Sequence, residues 1–374
     1  MISNRENYEY SLEQVSRQEC KLKTLRKYIR KALNIIKYIF RYGFFTFSKP
    51  PYPTTVMIDP TNICNLKCPL CPTGIEKRNG KKEIMSLDTF RKIIDKLPFV
   101  KTINLYRLGE PFLNRDVLEM ARYACDMNIK VSISTNFSFI KEEDFFEKIV
   151  RSGLQSLVIS LDGTSDASYS RYRRGGDFGL VVSNLKRMVE MKKRLHSDNP
   201  VIVWQFIVNR YNEHEVEEAR RICRTLDVTL DIQQMGLADE LPDIDFEVPI
   251  EQRKAAWLPA NKSFVKSHYQ GKYQYPLFGG ICRQLFVSLN IAPDGKVFPC
   301  CWTVDKDSVF GDLLNEPFTE IWYNQKFQDA REMFLRRNSP PSLSVCSRCK
   351  NFSKKPTLKD NLKPALAIIN GTAQ

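Results

Sequence analysis

Histidine is scarce in this chain: His196, His214 and His268 are the only three in 374 residues. That leaves few nitrogen ligands for a metal, and none lies close in sequence to the densest run of cysteines. Met1 to Glu19 is polar and reads as no secretory signal, and no run of eighteen uncharged apolar residues follows it. The expectation is a cytoplasmic chain without a spanning helix. No internal repeat is present, which argues against a solenoid or propeller. What the chain does have is cysteine, eleven of them. In an unexported protein that number points to metal or redox chemistry and away from a disulfide framework. Apolar residues make up 43% of the total, enough for one large domain and a smaller one.

The net charge of +14 is uneven. Residues 1 to 50 hold eleven Lys and Arg against four Glu, a net +7, and a second basic run from Arg348 to Lys363 lies near the end. Within the leader, Leu22, Leu25, Ile29, Ala32, Leu33, Ile36, Ile39 and Phe40 recur at helical spacing with Lys and Arg opposite, until Pro50, Pro51 and Pro53 stop the pattern. A basic amphipathic helix of this kind either packs on its own domain or lies on an anionic membrane surface, here through residues 21–47. Basic residues gathered at the termini, with no aromatic-plus-basic groove between them, do not suggest a nucleic-acid partner.

From residue 55 to about 235, apolar runs alternate with amphipathic helical stretches. The expected strands are 55–60, 102–107, 130–135, 156–163, 201–208 and 229–234, with Ser86 and Asn212 as helix N-caps. Six strand-then-helix units predict an α/β fold, a partial (β/α)6 TIM-like barrel whose chemistry sits at the C-terminal ends of a parallel sheet. The expected organisation is a leader (1–54), the barrel (55–235), a linking or site-lining segment (236–281), a small cysteine-rich module (282–352) and a tail (353–374).

CNLKCPLC follows the first expected strand and sets Cys64, Cys68 and Cys71 together with no fourth ligand nearby. A structural zinc site wants four ligands, whereas three thiolates on a [4Fe–4S] cluster leave one iron open. The CxxxCxxC spacing resembles the signature of radical S-adenosylmethionine (SAM) enzymes. Further motifs stand in that family's order: RLGEP (107–111), STN (134–136), SLDG (160–163) and RRGG (173–176). The resemblance covers residues 55 to about 235. It implies that SAM fills the open iron through its amino and carboxylate groups. Gly109, Glu110, Ser134, Asn136, Ser160 and Arg174 are the expected SAM contacts, with Arg174 taken ahead of Arg173 because it directly precedes Gly175. RLGEP departs from the family's GGEP in having Leu108 in place of the first glycine.

Downstream, Cys282, Gly295 and Cys300 are spaced as CX12GX4C, and Cys346-Ser-Arg-Cys349 follows. Residues 282–301 read as a hairpin turning at Pro293-Asp294-Gly295, which brings Cys282 beside Cys300. Spacing alone suits structural zinc and an iron–sulfur cluster equally. The segment resembles the SPASM domain, the auxiliary-cluster module of radical SAM enzymes, in an abbreviated Twitch-like form. That resemblance implies a second, auxiliary [4Fe–4S] cluster on Cys282, Cys300, Cys346 and Cys349. Cys301 falls outside the ligand spacing.

The resemblance as a whole implies an enzyme that takes an electron from an external donor such as flavodoxin or ferredoxin. It would cleave SAM to a 5′-deoxyadenosyl radical and abstract hydrogen from an unactivated carbon. The expected outcome is oxidation or epimerisation of a carbohydrate, aminocyclitol or lipid-linked substrate. Peptide maturation of the SPASM type is the alternative, and RNA modification stands behind it. A membrane-seeking leader would place the enzyme peripherally on the inner membrane face. Catalytic residues beyond these sets are unassigned from sequence.

Overall fold

The computed structural model describes residues 50–75, 81–139, 142–238, 247–270, 282, 284–303, 308–336 and 344–349. The amphipathic leader up to residue 49 and the tail lie outside the described residues. The strands are β1 (Thr55–Ile58), β2 (Thr102–Asn104), β3 (Lys130–Thr135), β4 (Ser156–Ser160), β5 (Val201–Val208) and β6 (Thr229–Gln234). β3, β5 and β6 have the bounds expected from their apolar runs. β1, β2 and β4 end earlier, because the chain leaves the sheet at Asp59, Leu105 and Leu161 to form the loops that carry the motifs.

Helices Leu87–Asp95, Val117–Asp126, Glu143–Arg151, Phe178–Arg194 and Val216–Leu226 return the chain between successive strands. Their buried stripes, such as Phe90, Ile93 and Ile94 on the first, cover one face of the sheet. Ser86 caps that helix, its hydroxyl accepting from the Thr89 N–H at 3.1 Å. Asn212 does not act as a cap: no amide of the following turn bonds its side chain. It instead donates to Asp162 O and Ile207 O, tying the end of β4 to that of β5.

All six strands pair in parallel, and the sheet does not close into a barrel. Its order is β6-β5-β4-β3-β2-β1-β7-β8-β9, where β7 is Ser288–Ile291, β8 Lys296–Phe298 and β9 Gly311–Asp312. β7 adds to β1 in parallel, with Thr55 opposite Ser288, so the cysteine-rich segment extends the same sheet. β7 and β8 form the expected hairpin around Gly295, whose φ of +81° only glycine adopts cheaply. The first part of that segment is not a strand, since Gln284–Val287 is a helical turn.

Burial alternates along the strands. Val56, Ile58, Ile103, Val131, Ile133, Leu157, Ile159, Ile202, Trp204 and Phe206 are buried in the main core. Their alternates, among them Met57, Asn104, Ser132, Ser134, Val158, Val203 and Gln205, are half-buried. One face of the sheet is therefore sealed by helices and the other stays accessible. A second apolar cluster joins Leu66 and Leu70 of the cysteine loop to Tyr172, Leu237 and Trp257. The two leucines anchor CNLKCPLC between its thiols.

Candidate functional site

The cysteine loop is held by the other motifs at the strand ends. From RLGEP, the Glu110 N–H donates to Ile63 O at 2.8 Å, and Leu108 O accepts from the Thr73 hydroxyl at 2.7 Å. A Cβ on Gly109 would stand 2.0 Å from Thr61 O and 2.8 Å from Ile63 O, so only glycine lets the two loops meet. The close approach expected at Gly109 is thus made to the protein's own backbone. From STN, the Asn136 amide donates to Asn65 Oδ1 at 2.8 Å and to Cys64 Sγ at 3.7 Å, while Asn65 donates to Ser138 O at 2.8 Å. From RRGG, Arg174 O accepts from the Lys67 N–H at 2.8 Å.

Glu110 is 2% exposed and receives three protein hydrogen bonds. The Thr135 hydroxyl and Phe112 N–H reach Oε1 at 2.7 and 3.2 Å, and the Asn136 N–H reaches Oε2 at 2.7 Å. Burial outweighs these donors and pushes its carboxyl up to about 7. Oε2 keeps capacity for a further donor.

Arg173 and Arg174 part company. Arg174 is exposed and engages the loop through its carbonyl. Arg173 is nearly enclosed and forms a 2.6 Å ion pair with Asp162, which is fully buried. Its charge also reaches Cys64 and Cys68, where it works against the effect of burial. Asp162 lies within SLDG but is not singled out by the sequence, which ranks Arg173 behind Arg174; a carboxylate beside a strand-end glycine is the available signal. Ser134 and Ser160 sit at the C-terminal ends of β3 and β4, on or beside the accessible face, and make no side-chain hydrogen bond among the described residues.

The three thiols fit an iron cluster by their chemistry. Burial raises Cys64 to about 11 and Cys68 to about 12, and the nearby Cys71 sulfur adds to the rise at both. Such a group releases its protons only when bound iron supplies the compensating charge.

The second set also converges. Cys282 follows the linking segment, Cys300 follows β8, and Cys346 and Cys349 lie on the short helical turn Val345–Arg348 and just after it. Cys282 lies within electrostatic reach of Cys349 and Cys300, and Cys346 of Cys282, Cys300 and Cys349. Burial raises Cys282 to about 11 and pushes Cys300 and Cys346 up as well. Cys346 is buried and the other three are half-buried; they form a chain of neighbours whose charges oppose one another, although among the described residues no three of them stand close enough to hold a single metal ion. Cys301 lies beside Cys300 and Cys282, and also faces Arg107 and Tyr106.

Arg107 and Asp59, neither of which the sequence reading assigned a role, link the two sets. Asp59, just past β1, accepts from the Leu108 and Gly109 N–H groups at 3.3 and 3.4 Å. It pairs with Arg107 at 3.9 Å, both side chains being 1% exposed. Arg107 donates to Thr303 O and lies over the Phe298 ring, 4.8 Å from its centre. A side chain from the RLGEP loop therefore braces the segment that carries Cys300 and Cys301.

The family model for the Radical SAM superfamily matches residues 58–225, and that for an iron–sulfur cluster-binding domain, SPASM, matches residues 282–350. Mycofactocin maturase MftC of Mycolicibacterium smegmatis is 25% identical over 306 residues, 78% of this chain and 74% of the relative. A PqqA peptide cyclase of Bradyrhizobium diazoefficiens is 24% identical over 294 residues, 73% of this chain and 74% of the relative. The fold is similar to that of native anSMEcpe solved with bound AdoMet, at a TM-score of 0.57 and 15% identity, covering 86% of this chain and 99% of that one. The first domain binds SAM and a [4Fe–4S] cluster, and the second binds auxiliary iron–sulfur chemistry. With both cysteine sets placed along one open, mostly parallel sheet and both domains matched, the chain belongs to the radical SAM superfamily and carries a C-terminal SPASM iron–sulfur domain.

Proposed function

We propose that the enzyme oxidises or epimerises a small hydroxyl-bearing substrate at an unactivated C–H bond. When bound, the cofactors supply reductive cleavage of SAM to a hydrogen-abstracting radical, and a second one-electron centre. The observation that carries the reading is the Arg107 brace, which runs from the loop beside the first thiols to the segment bearing the second. A substrate seated between the two sets would meet both centres. In this reading Cys64, Cys68 and Cys71 hold the SAM-binding cluster, and Cys282, Cys300, Cys346 and Cys349 the auxiliary one. Glu110, through the free capacity of Oε2, takes the SAM ammonium. Gly109, Ser134, Asn136, Ser160 and Arg174 frame the same cofactor, with Arg173 holding the loop's charge balance. The helix-sealed layer fixes the sheet, so that a bound carbon keeps its distance from the reacting group.

The test is anaerobic reconstitution with iron and sulfide quantification, comparing wild type with the Cys64/Cys68/Cys71→Ala variant. About eight irons falling to about four is expected. Four irons in the wild type and none in the variant would remove the second centre, and oxidation through it. Turnover in D2O then separates the outcomes. Deuterium gained at carbon means that a thiol, with Cys301 as the candidate, returns hydrogen; a product two hydrogens lighter means oxidation.

Peptide maturation is the second reading, favoured by similarity to the PqqA peptide cyclase. A modified peptide from the host strain that disappears on deleting this chain would establish it. As partners, flavodoxin or ferredoxin would supply the electron. No described helix is long and apolar enough to cross a membrane. Residues 21–47 are proposed to bring the enzyme to an anionic surface, and liposome co-sedimentation unaffected by deleting residues 1–48 would end that proposal.

A further inference from the structure

Several buried polar groups around the cysteine loop are satisfied by the protein, although Asn209 Nδ2 and Asn184 Oδ1 elsewhere in the fold have no partner. Glu110 has three donors, Asn136 bonds two partners through its amide, and Asn114 donates to both Pro60 O and Met85 O. The accessible face of the sheet differs. Asn104, Ser132, Gln205 and Asn290 make no side-chain hydrogen bond among the described residues. Asn290 is the sharpest case: it is 1% exposed, and its buried Nδ2 has no partner. An orphaned amide donor is costly, because it has lost water and gained nothing.

Strand register places these groups together. Ser132 is opposite Asn104, Asn104 opposite Met57, Met57 opposite Asn290, and Asn290 opposite Phe298. Partners in register point to the same side of a sheet, so one row crosses from β3 to β8. It ends at the Phe298 ring, over which Arg107 lies. A second row pairs Ser160 with Gln205 and Gln205 with Asp231. Asp231 is the only carboxylate on strands β1 to β7, and Lys130, the first residue of β3, their only cation.

We propose that Asn104, Gln205, Asp231 and Asn290 form the substrate wall, and that it takes a hydroxyl-rich ring compound. This rests on the reading above and narrows its substrate. Amide and carboxyl groups set at strand spacing offer both donors and acceptors, as a ring of hydroxyls requires. An acyl chain would leave the three amides unpaired, and Asp231 with only the Gln233 amide, which donates to its Oδ1 at 2.7 Å. The single carboxylate accepts from a hydroxyl or an amino substituent without demanding a strongly charged ligand. Asn290 is a donor kept at the expense of stability, to be satisfied by substrate.

That last point makes the proposal testable before the natural substrate is known. In the reconstituted holoenzyme, Asn290→Leu removes the orphan while filling similar volume, and should raise the unfolding midpoint by about 2–4 °C. Binding is read by saturation-transfer NMR in the presence of SAM, using myo-inositol, glucosamine and methyl glucoside, with a neutral hexapeptide and dodecylphosphocholine as the contrasting probes. At least one ring probe should bind the wild type and lose tenfold or more in affinity in Asn290→Leu. Asn104→Leu, half-buried on the same row, serves if the first variant does not fold. A lower midpoint with unchanged ring binding would make Asn290 structural and overturn the proposal. So would binding of the peptide or the detergent alone, or failure of every ring probe to bind the wild type. Iron content and SAM cleavage of the same wild-type preparation report separately on the radical-enzyme reading.

Discussion

Two side chains that sequence patterning passed over bear much of the site's energetics. Arg107 and Asp59 are buried together, and removing one takes from the other its ion-pair partner. Arg107→Met should therefore lower stability by about 3 kcal/mol in urea denaturation, with part recovered on adding Asp59→Asn. Glu110 makes a pH-dependent contribution. Its native carboxyl titrates at about 7 against 4.5 for an ordinary glutamate, so the native state binds the extra proton. That contribution is fully present below about pH 4.5 and is lost as pH rises through 7. Glu110→Gln should remove it, and the variant should gain on the wild type by up to about 3 kcal/mol between pH 5 and 8. Equal pH slopes for the two proteins would contradict the buried-acid description. At this scale the neighbours Arg173 and Arg174 mark a limit of reading a sequence. Adjacent residues in a turn point in different directions, and only the backbone path assigns one to Asp162 and the other to solvent.

Among elements, local signals were legible where the physics is local. Ser86 reads as a cap because a hydroxyl before an amphipathic run satisfies a free N–H three residues on, and it does so here. Ser86→Ala should lower stability by about 1 kcal/mol, measured by chemical denaturation. Asn212 carries the same composition signal but is drawn off to Asp162 O and Ile207 O, since a buried carbonyl between two strand ends outbids a solvated helix terminus. β3, β5 and β6 could be bounded from their apolar runs, whereas β1, β2 and β4 could not, because their last apolar residues continue into the motif loops. The Gln284–Val287 turn was hidden for a related reason: four apolar and polar residues ahead of a strand share its composition.

For the whole molecule, the alternation of strands and helices announced a parallel α/β sheet, and the cysteine spacings announced two centres. How those parts join was not legible. Parallel pairing of β1 with β7 depends on residues far apart in the chain and leaves no mark on either segment. Nor does sequence disclose which polar strand residues lack partners, which is a property of the assembled face. The shared sheet has a mechanical consequence for the protein as isolated. A chain ended at residue 281 would leave β1 as a bare edge, and should elute from size exclusion as dimers or aggregates rather than monomers.

The pairing of Thr55 with Ser288 also sets an order of events during synthesis. At roughly 5–20 residues per second, β1 waits roughly 10–50 s for its neighbour to leave the ribosome. Through that interval CNLKCPLC is already translated, while the segment that will brace it through Thr303 does not yet exist. The nascent chain thus has a period in which the first thiols are open to an iron–sulfur delivery protein and the sheet edge beside them is exposed. Loading of the first centre would then precede closure of the second, with the strand at 288–291 as the latch between the two steps.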